Sequence, residues 1–296
     1  MTSTTCVVEF DSILAHCFQE IEFARKQMKN VAFSAAQEPS KFYEFMVRLA
    51  HFNDLEGSLI AQLAAAIGLS KHLFRQSGVI PDVADRSMEV ASGVFAAAID
   101  EHKDARYKVS RRSLALLLVE RIAEFGEVEL THRLAVANSS FTWFNDLTDE
   151  LSEAYRGKIN DLLSLVRAWG CHLAGEIVGD QEFQELDKLV RIDDMPQGLY
   201  QYLEQYPVLP EKYGLLAGTR RSFNAWQWVL VHSECEKARL EQFHADQAMQ
   251  SLNRMLEYNL EYSERAIIDA AVQGFRNYCV IRRRFVAKIA VGLDAA

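Results

Sequence analysis

Apolar residues recur every three or four positions over most of the chain, in stretches at about 40–70, 112–138, 155–178, 222–257 and 262–290. This spacing predicts helices with one buried face, because side chains three and four apart stack on the same side of the turn. No stretch keeps an alternation of period two, so no sheet is expected. Of five prolines, three (Pro196, Pro207 and Pro210) crowd into one region, which leaves the helical stretches uninterrupted. Ser40 and Ser222 stand where helix N-caps would be useful. The expected fold is therefore all-α. It is a single domain over residues 1–296, a bundle of seven or more helices, with short helical pieces and loops elaborating it at about 180–220.

The apolar stripes contain residues that do not belong there by solubility. Projected at about 100° per residue, the stretch from 222 gathers Phe223, Trp226, Leu230, Ala245, Ala248, Leu252 and Met255 on one face. Glu234, Lys237, Glu241 and His244 fall in the same stripe, whereas His232, Glu236 and Arg239 point away. The stretch from 112 repeats the arrangement: Glu129 and His132 share the face of Leu114, Leu118, Ile122, Phe125 and Val136. Two helices thus carry Glu-x-x-His facing inward, "ELTH" and "EQFH". Glu56 sits among Phe45, Leu49, Phe52, Leu59 and Leu63, and Glu176 follows Leu165, Trp169 and Leu173, with His172 one turn before it.

A carboxylate buried alone costs several kcal/mol or takes up a proton. Four acids and two histidines on separate helices ask for a shared cation. Residues three apart project to one side, so each Glu-x-x-His offers an oxygen and a nitrogen to the same centre. Such mixed ligands inside a bundle suit iron or manganese, while structural zinc usually recruits cysteine. The candidate metal ligands are Glu56, Glu129, His132, Glu176, Glu241 and His244, with His172, Glu234 and Glu89 as substitutes. Glu56 has the alternative of pairing with Arg121. Lys237 and Arg121 are candidates to hold a substrate carboxylate, or else salt-bridge partners. Trp169, Phe125, Leu118 and Trp226 would form an apolar pocket that excludes water.

Composition narrows the partners. Net charge is −9, which disfavours nucleic acid, since phosphate binding needs a cationic surface. No apolar run is long enough to span a membrane, and "MTSTTCVVEF" has neither the basic nor the apolar part of a secretory leader. Five scattered cysteines without a CxxC pair fit free thiols in a cytoplasmic protein.

Three segments carry a resemblance to the haem-oxygenase-like di-iron oxidases and oxygenases, covering roughly residues 85–290 at motif level. "RIAEFGEVELTHRLAVA" (121–137) resembles their Glu/His helix. "LEQFHADQAMQSL" (240–252) looks like their metal helix, and "AAVQGFRNYCVIRRRF" (270–285) like their closing helix. The resemblance carries over to Glu129, His132, Glu176, Glu241 and His244. The family usually has a histidine one turn before the acid of its last metal helix, where this chain has Lys237. A second, labile iron position follows from that departure, unless His172 or Glu234 replaces the missing nitrogen. The resemblance implies two iron ions, dioxygen as co-substrate and an external electron donor. Its azetidine-forming branch further implies oxidation of an isoleucine-like aliphatic amino acid by desaturation and C–N ring closure in antibiotic biosynthesis. A homodimer would follow from exposed apolar positions on the outer helices.

Two other classes compete. "NDLTDELSE" (145–153) comes close to the NDxxSxxxE magnesium motif of class I terpene synthases, but Asp149 replaces the serine and "IDDMPQ" lacks the closing acid of a partner motif. The other is a non-catalytic helical binding protein, in which the inward acids are salt-bridged.

Overall fold

The computed structural model describes residues 10–74, 85–104, 108–209, 222–233, 240–259 and 261–294. Described elements are α1 (Phe10–Ala35), α2 (Pro39–Asn53), α3 (Glu56–Leu69), α4 (Arg86–His102), α5 (Arg111–Phe125), α6 (Leu130–Trp143), α7 (Asn145–Tyr155), α8 (Leu162–Asp187), α9 (Leu199–Gln205), α10 (Gln227–His232), α11 (Leu240–Tyr258) and α12 (Glu264–Asp294). A π-helical turn, Lys188–Ile192, follows α8, and one isolated bridge joins Val208 to Phe223. The all-α expectation holds for these residues. No described helix is long and apolar enough to cross a membrane.

Helix starts follow ordinary capping chemistry. Asp85, Ser110 and Asp161 accept hydrogen bonds from the backbone N–H of Met88, Ser113 and Ser164, relieving amides that have no partner within the helix. The expected caps differ: Glu38 precedes α2 with Pro39 at its first position, so Ser40 lies inside the helix. Ser222 precedes a bridge, and α10 begins only at Gln227, after Asn224 has accepted from the Trp226 amide at 2.8 Å.

Three long stretches are broken where the pattern runs on. The 40–70 stretch divides at Asp54–Leu55, and the 222–257 stretch is divided after His232, where Ser233 turns extended. The 112–138 stretch stops at Gly126, and Glu127 takes a left-handed φ of 48°. Conversely, α8 runs on to Asp187, so the elaboration after 180 begins with the last turns of a core helix. Helix α1 is hidden in the pattern; its buried Ile13, Cys17, Ile21, Ala24 and Met28 are diluted by outward Phe18, Phe23 and Phe33.

The long helices α8 and α12 form the centre, with α1, α3, α7 and α11 packed around α8. They cross with backbones in contact. A Cβ built on Gly274 would stand 1.9 Å from the Arg167 carbonyl oxygen, and one on Gly170 2.1 Å from that of Ala271, so only glycine fits. The same device brings α4 against α11, where a Cβ on Gly93 would meet the Gln247 carbonyl oxygen at 2.5 Å. Fully buried Trp169 locks this layer by donating its indole N–H to the Ala248 carbonyl at 2.9 Å. Burying each such side chain contributes roughly 2–3 kcal/mol.

Candidate metal centre

The interior of the bundle holds a chain of acids and imidazoles centred on Glu176. Its Oε1 lies 3.4 Å from His172 Nδ1, one turn back on α8, and its Oε2 lies 3.4 Å from His244 Nδ1 on α11. The other nitrogen of His244, Nε2, stands 3.0 Å from Asp100 Oδ2 on α4. His172 and His244 are buried, as is Glu176. The close α4–α11 contact at Gly93 sets this reach, since Asp100 lies two turns further along α4 on the face toward α11. A neutral imidazole donates one proton, so it satisfies only one of two flanking carboxylates. An imidazolium, a protonated carboxyl or a shared cation must serve the other.

Beside Glu176 lies a small cavity of about 20 Å³, room for a water molecule or an ion. Its lining brings Glu56 from α3, Glu101 from α4, Asp180 from α8 and His232 from α10 to the same place as Glu176. Two phenols close it, Tyr155 and Tyr278, whose hydroxyls burial holds well above the ordinary tyrosine range, with Glu56 among the charges that push them further. They therefore stay protonated and donate: Tyr278 Oη gives a hydrogen bond to Glu56 Oε1 at 3.1 Å. Arg111, itself buried, holds Glu101 at 2.5 Å and donates to His232 Nδ1 at 3.3 Å. Because an arginine cannot accept, Nδ1 of His232 is the acceptor in this contact.

Of the expected ligands, Glu56, Glu176, His172 and His244 lie in this region. The first Glu-x-x-His does not face inward as expected. The break at Gly126 resets the helical phase, so Glu129 becomes the exposed N-cap residue of α6. His132 is half-exposed and pairs with buried Glu44 of α2 at 3.1 Å; Arg48 holds the other oxygen of Glu44 at 3.0 Å. Glu89 is bound by Arg86 at 3.0 Å and by the Tyr258 hydroxyl at 2.9 Å, which together hold its carboxyl below the usual range. Arg121 pairs with Glu124 of its own helix, not with Glu56. Glu234, Lys237 and the side chain of Glu241 lie outside the described residues, although Glu241 falls within α11.

The expected apolar pocket is also different. Trp169, Phe125, Leu118 and Trp226 do not line the cavity, most of whose lining residues carry polar groups, and Trp226 spends its N–H on Asp187 Oδ1 at 2.9 Å. The acids of "NDLTDELSE" lie on α7 and face basic residues: Asp146 meets Lys288 at 3.2 Å, and Glu150 meets Arg284 at 2.5 Å.

Apolar periodicity does not single out Asp100, Glu101, Asp180, His232, Tyr155 or Tyr278. A signal exists for one of them. His172, Glu176 and Asp180 are spaced i, i+4, i+8, which places all three on one face of α8. His232 is expected to point outward, yet it is buried with its ring stacked on Phe183 at 4.5 Å, because the end of α10 breaks the phase used to place it.

The donor set fits a first-row transition ion in type, being carboxylate and imidazole. Two ligands each ~2.1 Å from one tetrahedral ion stand about 3.4 Å apart, which is the separation of Glu176 from each imidazole. Asp100 behind His244 repeats the carboxylate that orients a metal-bound histidine. Among the described residues, however, no three such side chains close on a single point. No family model, curated protein or solved structure matches the chain.

Proposed function

We propose that this chain is a non-haem, iron- and dioxygen-dependent oxidase with a haem-oxygenase-like helical fold. One observation carries the reading: Glu176, buried, presents its two oxygens to His172 and His244 beside a cavity lined by further acids. Glu56, Glu101, Glu176, Asp180, His172 and His244 would hold the metal, with Glu241 as a further ligand from α11. Glu176 would hold the metal from α8 beside His172 and His244, and carboxylates and imidazoles inside a helical bundle are the donor types of a di-iron centre.

Bound iron supplies the one-electron and dioxygen chemistry that carboxylates and imidazoles lack. The chain's own residues do the rest. Asp100 orients His244, Arg111 orients Glu101, and Tyr278 holds Glu56 by a donated proton. The surrounding buried layer of Trp169, Phe183 and Leu173 excludes bulk water, which strengthens every electrostatic interaction inside it. The substrate class proposed is an aliphatic amino acid, isoleucine-like, desaturated and closed to an azetidine. Its support is the motif resemblance, together with an interior that holds buried acids and imidazoles side by side.

Anaerobic titration with ferrous ion, then admission of air with isoleucine present, tests this. Wild type should retain iron and consume dioxygen. Glu176→Gln should weaken iron binding by about 10–100-fold or more, and Glu129→Gln should change nothing. A wild-type protein that retains no iron sinks the proposal. The second reading, a non-catalytic helical protein, has one observation in its favour, the lack of three convergent donors among the described residues. Under it, Glu176→Gln leaves metal content at background and does not destabilise the fold.

A further inference from the structure

Helices α7, α8 and α12 enclose a second, open groove of about 480 Å³, a volume that suits a small organic ligand. It lies across α12 from the acid-lined cavity: Tyr278 and Arg282 line that cavity, whereas Gln273, Arg276 and Asn277 project from the opposite face. Three guanidiniums border the groove, Arg156 from α7, Arg167 from α8 and Arg276 from α12, against the one carboxylate of Glu153. Its walls therefore carry two positive charges, in a chain whose net charge is −9. The crossing of α8 and α12 builds this arrangement. Gly274 lets α12 touch the Arg167 carbonyl, so the Arg167 side chain emerges into the same groove as Gln273 and Asn277.

The three cations differ in what they already hold. Arg276 is braced from α1: Glu20 meets its Nε at 2.9 Å, and the His16 carbonyl accepts from its Nη2 at 2.7 Å. Its Nη1 has no partner among the described residues. Arg156 gives Nη1 to Glu153 at 2.7 Å and keeps Nε and Nη2. Arg167, half-buried, meets no carboxylate or carbonyl among the described residues. Even with Glu20 counted, one positive charge is left unbalanced. We infer that this groove binds the phosphate monoester group of a small polar molecule. A guanidinium offers paired N–H donors that fit two phosphate oxygens at once. The charge of a monoester, about −1.5 to −2 at neutral pH, matches that of the walls. A bare phosphate would not fill the groove. The amides of Gln273 and Asn277, one turn apart on α12, suit the hydroxyls of an attached polar body. No residue lines both this groove and the Glu176 cavity, so the two sites stand or fall separately.

Titration calorimetry of the full chain in phosphate-free buffer tests this, with inorganic phosphate, ribose 5-phosphate and acetate as probes. Inorganic phosphate should bind with a dissociation constant on the order of 1 mM. Ribose 5-phosphate should bind about 10-fold more tightly, since the amides add hydrogen bonds. Acetate, with one charge and two oxygens, should bind about 10-fold more weakly than phosphate. Arg167→Gln should weaken phosphate binding by about 10–100-fold, because it removes the charge that no other group uses. Arg167→Lys should recover only part of it, as an ammonium lacks the fork. Arg156→Gln, at an exposed position, should weaken binding by no more than about 5-fold. Thermal unfolding of Arg167→Gln should match wild type, since the side chain gives up no partner among the described residues. Glu176→Gln should leave phosphate binding unchanged. Wild type that binds no phosphate up to about 10 mM overturns the inference. So does an Arg167→Gln protein that binds as wild type does, or acetate that binds as tightly as phosphate. Loss of phosphate binding in Glu176→Gln would place the anion at the metal site and overturn it as well.

Discussion

Of the carboxylates that helix α8 buries, Glu176 and Glu182 lie less than two turns apart, and the fold completes them in different ways. Glu182 is closed by a guanidinium. Arg282 donates to its Oε2 from Nε at 2.8 Å and from Nη2 at 2.6 Å, and both side chains are 1% exposed. A third donor, Nη1, reaches Asn53 at 2.9 Å, and the planar cation lies over Phe52 and Phe285 at 5.1 and 5.2 Å. Burial raises the Glu182 carboxyl while Arg282 pulls it back. Burial alone would lower Arg282, but Glu182 outweighs it and leaves the guanidinium more firmly protonated than usual. Glu176 meets two imidazoles at 3.4 Å and borders a cavity. Those distances exceed the ~2.7–2.9 Å of a closed charge-assisted bond. The guanidinium gives two donors to one oxygen of Glu182, matching its charge and fixing its place, while its far edge borders the same cavity as Glu176. Imidazoles, which accept as well as donate, leave donor atoms aimed at a shared centre. Burial of an acid is therefore a poor guide to function until its partner is known.

The largest expected effect comes from opening the closed pair. Arg282→Met should cost about 3–5 kcal/mol, because Glu182 keeps its burial and loses its counter-charge. Thermal unfolding should then start roughly 10 °C lower. The pH dependence has a definite sign. Without Arg282, the carboxyl rises further above its unfolded value, so the protonated form is the one that folding favours. The variant should regain stability as pH falls toward the ordinary carboxylate range and lose it again as pH rises. A loss below about 1 kcal/mol would mean that Arg282 and Glu182 do not depend on each other.

A smaller effect should follow from loosening the open site. Asp100→Asn removes the carboxylate behind His244. Iron affinity, measured by anaerobic titration, should fall about 10–100-fold, while unfolding without metal changes by roughly 1 kcal/mol. Equal affinity in the two proteins would show that His244 needs no orienting partner.

The smallest should come from an exposed pair outside both. Lys288 holds the Asp146 carboxyl below its ordinary value, chiefly by a side-chain hydrogen bond. A depressed acid stabilises the fold above its unfolded pKa, and that contribution fades as pH falls through the folded one. Lys288→Ala should return the Asp146 titration, followed by NMR, toward the usual range. Stability at neutral pH should change by no more than about 0.5 kcal/mol, since solvent screens the pair. A change of several kcal/mol would erase the distinction between surface and buried pairs drawn here.

How far the site is legible depends on helix breaks. Glu176 and His172 fall where the pattern puts them because α8 is continuous from Leu162 to Asp187, so one phase governs them all. Glu129 and His132 depart from it because the four residues from Gly126 to Glu129 reset the phase of the next helix. The sequence "FGEVE" contains a warning, a glycine at a helix end followed by a charged residue, but Glu127 in a left-handed turn is not written in apolar periodicity. Asp100 and Glu101 lie on a helix whose short apolar pattern draws attention only to Glu89, at its opposite end.

Helical content, the absence of strands among the described residues, and the inward phase of the longest helices were determined by the sequence alone. Those properties live in the three- and four-residue spacing of neighbours along one helix. Which acids meet which imidazoles, and which are closed by arginine, only the tertiary structure decided. An inward phase says that a side chain faces the interior, not what stands opposite. The opposite residue is set by how closely helices cross, as glycine permits between α8 and α12 and between α4 and α11.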